Sequence, residues 1–199
     1  MEKKLNEKLL EAIAIMSNVM RDVVSKGYIW GGCVADVYSG DFVREHEDIE
    51  YLIEDLHKKL LLIIKTFNVY GWEIESLTNG DLKAKSGDVE ILMSHAEFPE
   101  GKEYARWYYK PELGYIEFPY EWLNQETILF NGVPLNAVSP EFQYVLRKNP
   151  KSLNPIWKTR DKDSHDLARL KRDHYKKGSR FGKSRFKYKI SKNYIVESR

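Results

Sequence analysis

Apolar residues recur three and four apart at the start of the chain: Leu5, Leu9, Ile13, Met16, Met20 and the pair Val23-Val24. That spacing lines one side of a helix, which the pattern ends near Gly27. Tyr28-Ile29-Trp30 reads as a short strand running into Gly31-Gly32. A short helix over residues 33–38 is stopped by Ser39-Gly40. Acidic and apolar residues alternate at Asp48-Ile49-Glu50, in a strand that continues to Ile53. Asp55 is placed to cap a helix over residues 56–68, with Leu60, Ile63, Ile64 and Phe67 as its apolar face.

Past Gly71 the period shortens. Residues 72–75 and 82–85 predict two strands around the turn Thr78-Asn79-Gly80-Asp81, and residues 88–93 predict another. Ile128-Leu129-Phe130 and Val133-Pro134-Leu135 flank Asn131-Gly132, the pattern of a tight hairpin. Ser139-Pro140-Glu141 opens a helix carrying Phe142, Val145 and Leu146. After a break at residues 149–155, a last helix covers roughly 163–175. Residues 98–120 hold three prolines and many aromatics, and fit neither period. The element order implies an α+β fold: a small mixed β-sheet flanked by helices, with a helical C-terminal portion. The expected divisions are an α/β domain over residues 1–137, a helical portion over 138–175 packed on it, and a basic tail over 176–199.

With 199 residues, 42% hydrophobic and 31% charged, the chain has the make-up of a soluble globular protein. One cysteine, Cys33, excludes an internal disulfide. No apolar run approaches the roughly 18 residues of a membrane span, and residues 1–7 lack a signal core. The expectation is a cytoplasmic protein with no membrane partner. Charge is uneven along the chain. Residues 171–199 hold eleven Lys or Arg against Asp173 and Glu197, a local +9, so residues 1–170 carry −7 of the net +2. Such a tail suits either a nucleic-acid partner or a solvated extension.

Asp48 and Glu50 share one face of their strand, and hard oxygen ligands held side by side suit Mg²⁺. The glycines ahead of them leave backbone N–H groups open to phosphate oxygens. A lone acidic pair also fits the wet face of an edge strand, so the surrounding spacing has to decide. Gly31-Gly32, Asp36, Gly40, Arg44, His46, Asp48 and Glu50 stand in a fixed array. It resembles the motif of the aminoglycoside and lincosamide nucleotidyltransferases, within the polymerase-β-like superfamily: a double glycine, an Asp four residues on, another Gly, then Arg-x-His-x-Asp-x-Asp. Residues 130–141, an apolar strand pair leading into Ser-Pro-Glu, are similar to a second family segment. Arg160, Lys162, Asp163 and Asp166 are similar to its Arg-x-Lys-Asp-x-x-Asp signature. The resemblance covers roughly residues 28–54 and 126–170.

The resemblance implies Mg²⁺-dependent transfer of a nucleoside monophosphate from a nucleotide such as ATP to the hydroxyl of a small acceptor. It implies Asp48, Glu50 and a third carboxylate as metal ligands and catalytic residues. Glu90 fits the third position, with Asp88 as the alternative. Gly31 and Gly32 would cradle phosphates, with Arg44 and Lys162 beside the triphosphate. His46 could orient a carboxylate or a phosphate or be structural, Asp36 would fix the loop after the glycines rather than touch metal, and Asp163 and Asp166 would either cap or brace the last helix and hold Lys162 or contact substrate directly. Two positions depart from the family: Glu stands at both 50 and 90 where Asp is usual, and each adds about 1.5 Å of reach to a metal bonded at ~2.0–2.1 Å. A weakly active or non-catalytic nucleotide- or RNA-binding protein on the same fold is the competing expectation.

Overall fold

The N-terminal apolar stripe becomes a 21-residue helix, α1 (Glu2–Asp22), with Leu9, Ile13, Met16 and Met20 fully or nearly buried. Val24 turns out to solvent instead, one residue past the point where the helix has unwound. The computed structural model describes residues 2–77, 80–110, 114–123, 126–148, 160–174 and 189–190. The expected turn at Thr78-Asn79, the break at 149–155 and the tail beyond 174, apart from residues 189–190, lie outside them.

The remaining helices are α2 (Val34–Ser39), α3 (Leu56–Val69), α4 (Pro140–Lys148) and α5 (Asp161–Arg169), the last continuing as a wider π-type turn over Leu170–His174. Ser139 starts α4 as its sequence suggests, its Oγ accepting the Phe142 N–H at 3.1 Å. Asp55 sits at the start of α3 without capping it. Its φ of 52° turns the side chain away, and its carboxylate meets Lys58 at 3.1 Å.

Ten strands among the described residues form one mixed sheet. They are β1 (Gly27–Trp30), β2 (Asp48–Glu54), β3 (Glu73–Ser76), β4 (Leu82–Ser86), β5 (Val89–Glu97), β6 (Tyr104–Lys110), β7 (Gly114–Pro119), β8 (Ile128–Phe130), β9 (Val133–Ala137) and β10 (Lys189–Ile190). Their order is β10-β7-β6-β5-β2-β1-β9-β8, with β4 also on β5 and β3 on β4. The long strand β5 makes this possible. One edge pairs with β2, while the other is shared by β4 near its start and β6 near its end.

The sheet is larger than the sequence pattern implies because residues 98–120 supply β6 and β7. There Ala105 and Trp107 are buried while Arg106 meets Glu117 across the pair at 3.2 Å. Trp107 and Trp122 are core residues. In the β8–β9 hairpin, Asn131 and Gly132 take φ of 47° and 83°, the left-handed pair that a two-residue turn demands. α1 packs against β2, β5, β9 and α3, and α4 lies against α2 and α5. Among the described residues no helix is long and apolar enough to cross a membrane.

Candidate active site

β1 and β2 run antiparallel with Trp30 opposite Glu50, so the glycine turn at the end of β1 lies beside the start of β2. β2 and β5 run parallel with Asp48 opposite Glu90. Residues opposite each other on neighbouring strands share a face. Asp48, Glu50 and Glu90 therefore project from the same side of the sheet. Asp88 lies in the turn before β5, with its side chain 85% exposed and paired to Lys8 at 3.2 Å. Of the two alternatives for a third carboxylate, the strand register sets Glu90 beside Asp48.

The acids of this face are held at a cost. Burial, together with the charge of Asp48, pushes the Glu50 carboxyl up to about 7. Asp48 is raised as well, by burial first and then by Glu47 and Glu90, against the opposing charges of Lys162 and His46. Glu90 is turned to two lysines, Lys85 at 3.5 Å and Lys83 at 4.0 Å. Among the described residues, no three His, Cys, Asp or Glu side chains are grouped closely enough to cage an ion. A divalent cation that keeps its waters and shares substrate phosphates needs only one or two carboxylates, and the Asp48–Glu50 pair fits that lesser demand.

Gly31 has φ of 74°, and a Cβ there would overlap the Glu50 carboxylate outright. Its N–H is not open to a phosphate. It donates to Oε1 of Gln143 on α4 at 3.0 Å, and that glutamine is 2% exposed. A Cβ on Gly32 would come within 2.7 Å of the Arg44 guanidinium and 3.2 Å of Nδ1 of His46. The double glycine thus allows close approach of this chain's own charged groups.

Around the turn lies a network that the sequence did not reveal. Asp36, fully buried, accepts from Arg169 and sits 2.6 Å from Nε2 of His46. Arg44 donates Nε and Nη2 to Asp166, at 3.2 and 2.8 Å. Arg147 reaches Asp163 at 2.7 Å and Asp166 at 3.4 Å, and Arg160 adds a second guanidinium on Asp163 at 3.0 Å. Asp163 and Asp166 do brace α5, but by gripping arginines. Lys162 instead meets the exposed Glu47 at 3.7 Å. Cys33 is buried, and burial and the surrounding acids push its thiol well up, which makes it a poor nucleophile.

No protein-family model and no curated protein matches this sequence. Solved structures do. The solution structure of the antibiotic-resistance factor ANT(2'')-Ia superposes with a TM-score of 0.64 at 16% identity, covering 83% of each chain. The lincosamide antibiotic adenylyltransferase LnuA, lincomycin-bound, gives 0.59 at 18% identity, covering 78% of this chain and 91% of that one. A nucleotidyltransferase-like protein from Paracoccidioides brasiliensis gives 0.52 at 16%, covering 85% and 77%. The fold is that of the antibiotic nucleotidyltransferases. Within that fold, the two glycines follow β1, the Asp-x-Glu pair begins β2, and Glu90 is the second residue of β5. A cavity of about 500 Å³ between α1 and the β8–β9 hairpin is walled in part by Tyr51, on the opposite face of β2 from Asp48 and Glu50.

Proposed function

We propose that the chain is a metal-dependent nucleotidyltransferase that moves a nucleoside monophosphate, in the simplest case AMP from ATP, to a hydroxyl of a small acceptor and releases pyrophosphate. The observation that carries this reading is the strand register setting Asp48 beside Glu90, with Glu50 on the same face and the glycine turn alongside. The neighbours support the acceptor class: ANT(2'')-Ia has been solved with adenylyl-2''-tobramycin, and LnuA with lincomycin.

In the reaction the acceptor oxygen bonds to the α-phosphorus as the bridging oxygen to pyrophosphate leaves, and the acceptor proton must go to a base. Asp48 and Glu50, with Glu90 beside them, would hold Mg²⁺, which supplies charge neutralisation at the reacting phosphate and the leaving pyrophosphate. Asp48 and Glu90 are the carboxylates placed to accept the acceptor proton. Lys162, whose charge is felt at Asp48, faces the same region and offsets phosphate charge there. Arg44 acts one step back. With two donors on Asp166, it fixes the loop that leads into β2.

Calorimetry of ATP binding, with and without Mg²⁺, tests the site on wild type and Asp48→Ala. Binding that needs the metal and disappears in the variant is expected, followed by pyrophosphate release when hydroxylated acceptors are screened. Binding that ignores both metal and mutation would remove the reading.

A further inference from the structure

The place at the glycine turn where the nucleotidyl-transfer reading would put a phosphate is already filled. Gln143 takes the Gly31 N–H. Directly over Gly31, where a side chain would begin, lies the Glu50 carboxylate. The Gly32 N–H bonds that carboxylate, and the charges of Arg147 and Arg160 act on it. A backbone amide with two guanidinium charges in range is a setting that proteins offer a phosphate group. Here an acid of the chain itself stands among them. The same placement explains why Asp48, Glu50 and Glu90 are not grouped as an ion cage although they share a face.

We propose that Glu50 sets the nucleotide affinity of this protein: its carboxylate occupies the phosphate position at Gly31-Gly32, and a nucleotide enters as that carboxylate swings out beside Asp48. The inference rests on the nucleotidyl-transfer reading and deepens it. The length of the side chain is what matters. Aspartate on the same backbone would stop about 1.5 Å short of the turn, the length of one methylene, leaving the Gly32 amide, within the field of the two arginines, to the nucleotide. Gln143 contributes by taking the Gly31 N–H, which fixes the turn in the shape that the carboxylate fits.

A site filled by its own side chain binds in proportion to the fraction of molecules in which it is empty. If the carboxylate holds the turn in about nine molecules of ten, the apparent affinity is about tenfold below the intrinsic one. The test uses the full chain, with ATP and Mg²⁺ as the probe. Glu50→Asp is expected to lower the dissociation constant about tenfold and to shift the Gly32 amide resonance in a ¹H–¹⁵N spectrum. The wild-type Gly32 resonance is expected to move when ATP is added, a readout that needs neither turnover nor the variant. Equal or weaker binding by Glu50→Asp overturns the inference, as does ATP binding to wild type with the Gly32 amide unmoved. Either result leaves nucleotidyl transfer standing. Binding by neither protein overturns both.

Discussion

Asp36, Asp163 and Asp166 each hold an arginine, whereas on β2 Asp48 and Glu50 are both raised by burial and by acid neighbours. Burial works against ionisation in both groups. At Asp36, hydrogen bonds from His46 and Arg169 outweigh it and the carboxyl is lowered. At Asp163, bonds from the Arg160 side chain and backbone, with the charge of Arg147, hold the carboxyl down at about 2. On β2 the balance is reversed, and both acids are raised. Acids of the same chemical type, gathered around one glycine turn, thus divide into two kinds. One kind has its countercharge built in and ties α5 to α2 and to the loop that follows it. The other has no countercharge strong enough to offset burial and its acid neighbours, the arrangement that the proposed metal-nucleotide site would use.

The largest effect follows from opening the first kind. Asp166→Ala leaves Arg44 and Arg147 without their shared partner in a buried setting. Removing one side of such a pair costs about 3–5 kcal/mol, because the remaining charge is stranded. Urea unfolding should show that loss. Asp48→Asn should lose nothing, or gain slightly, since it removes a charge that the fold disfavours. An equal loss at the two positions would break the distinction between brace and site.

Acid titration is expected to show the same contrast on a smaller scale. Asp163 has a folded-state value of about 2 against 3.8 ordinarily. A depressed carboxyl contributes stability that is fully present above its unfolded value and lost as pH falls through the folded one. The window here runs from about pH 4 down to about pH 2, and the contribution is about 2 kcal/mol. Asp163→Asn should be less stable than wild type at neutral pH, with a shallower decline across that window. A wild-type curve already flat between pH 4 and 2 would show that the arginines do not hold this carboxylate.

What the sequence revealed was mostly local. The α1 stripe, the Asn131-Gly132 hairpin and the Ser139 cap each depend on residues a few positions apart, and all three form. The Gly-Gly and Asp-x-Glu array was legible because its strands and turn are nearly consecutive. β6 and β7 do carry alternation, with Arg106 between buried Ala105 and Trp107, but prolines and a crowd of aromatics hid the period. The brace was out of reach for another reason. Arg44 and Asp166 are 122 residues apart, and Asp36 and Arg169 are 133 apart. A charge on one segment does not announce which distant charge will meet it. Arg44 therefore read as a phosphate ligand, and Gln143, which carries no charge, drew no notice although it holds the glycine turn.

Lys162 gives the smallest effect and the finest division between the two kinds. It lies on α5 beside the brace, yet its partner is Glu47, whose side chain is 89% exposed. An exposed pair of this sort stabilises a protein by about 0.2–1 kcal/mol at most. Its charge is nonetheless felt at Asp48, across the gap between α5 and β2. Lys162→Ala should leave unfolding within about 0.5 kcal/mol of wild type while weakening ATP binding severalfold, and Lys162→Arg should restore most of that loss. If Lys162→Ala instead destabilises the fold and leaves ATP binding unchanged, the lysine belongs with Arg44 and Arg169. The countercharge for the β2 acids would then have to come from the metal alone.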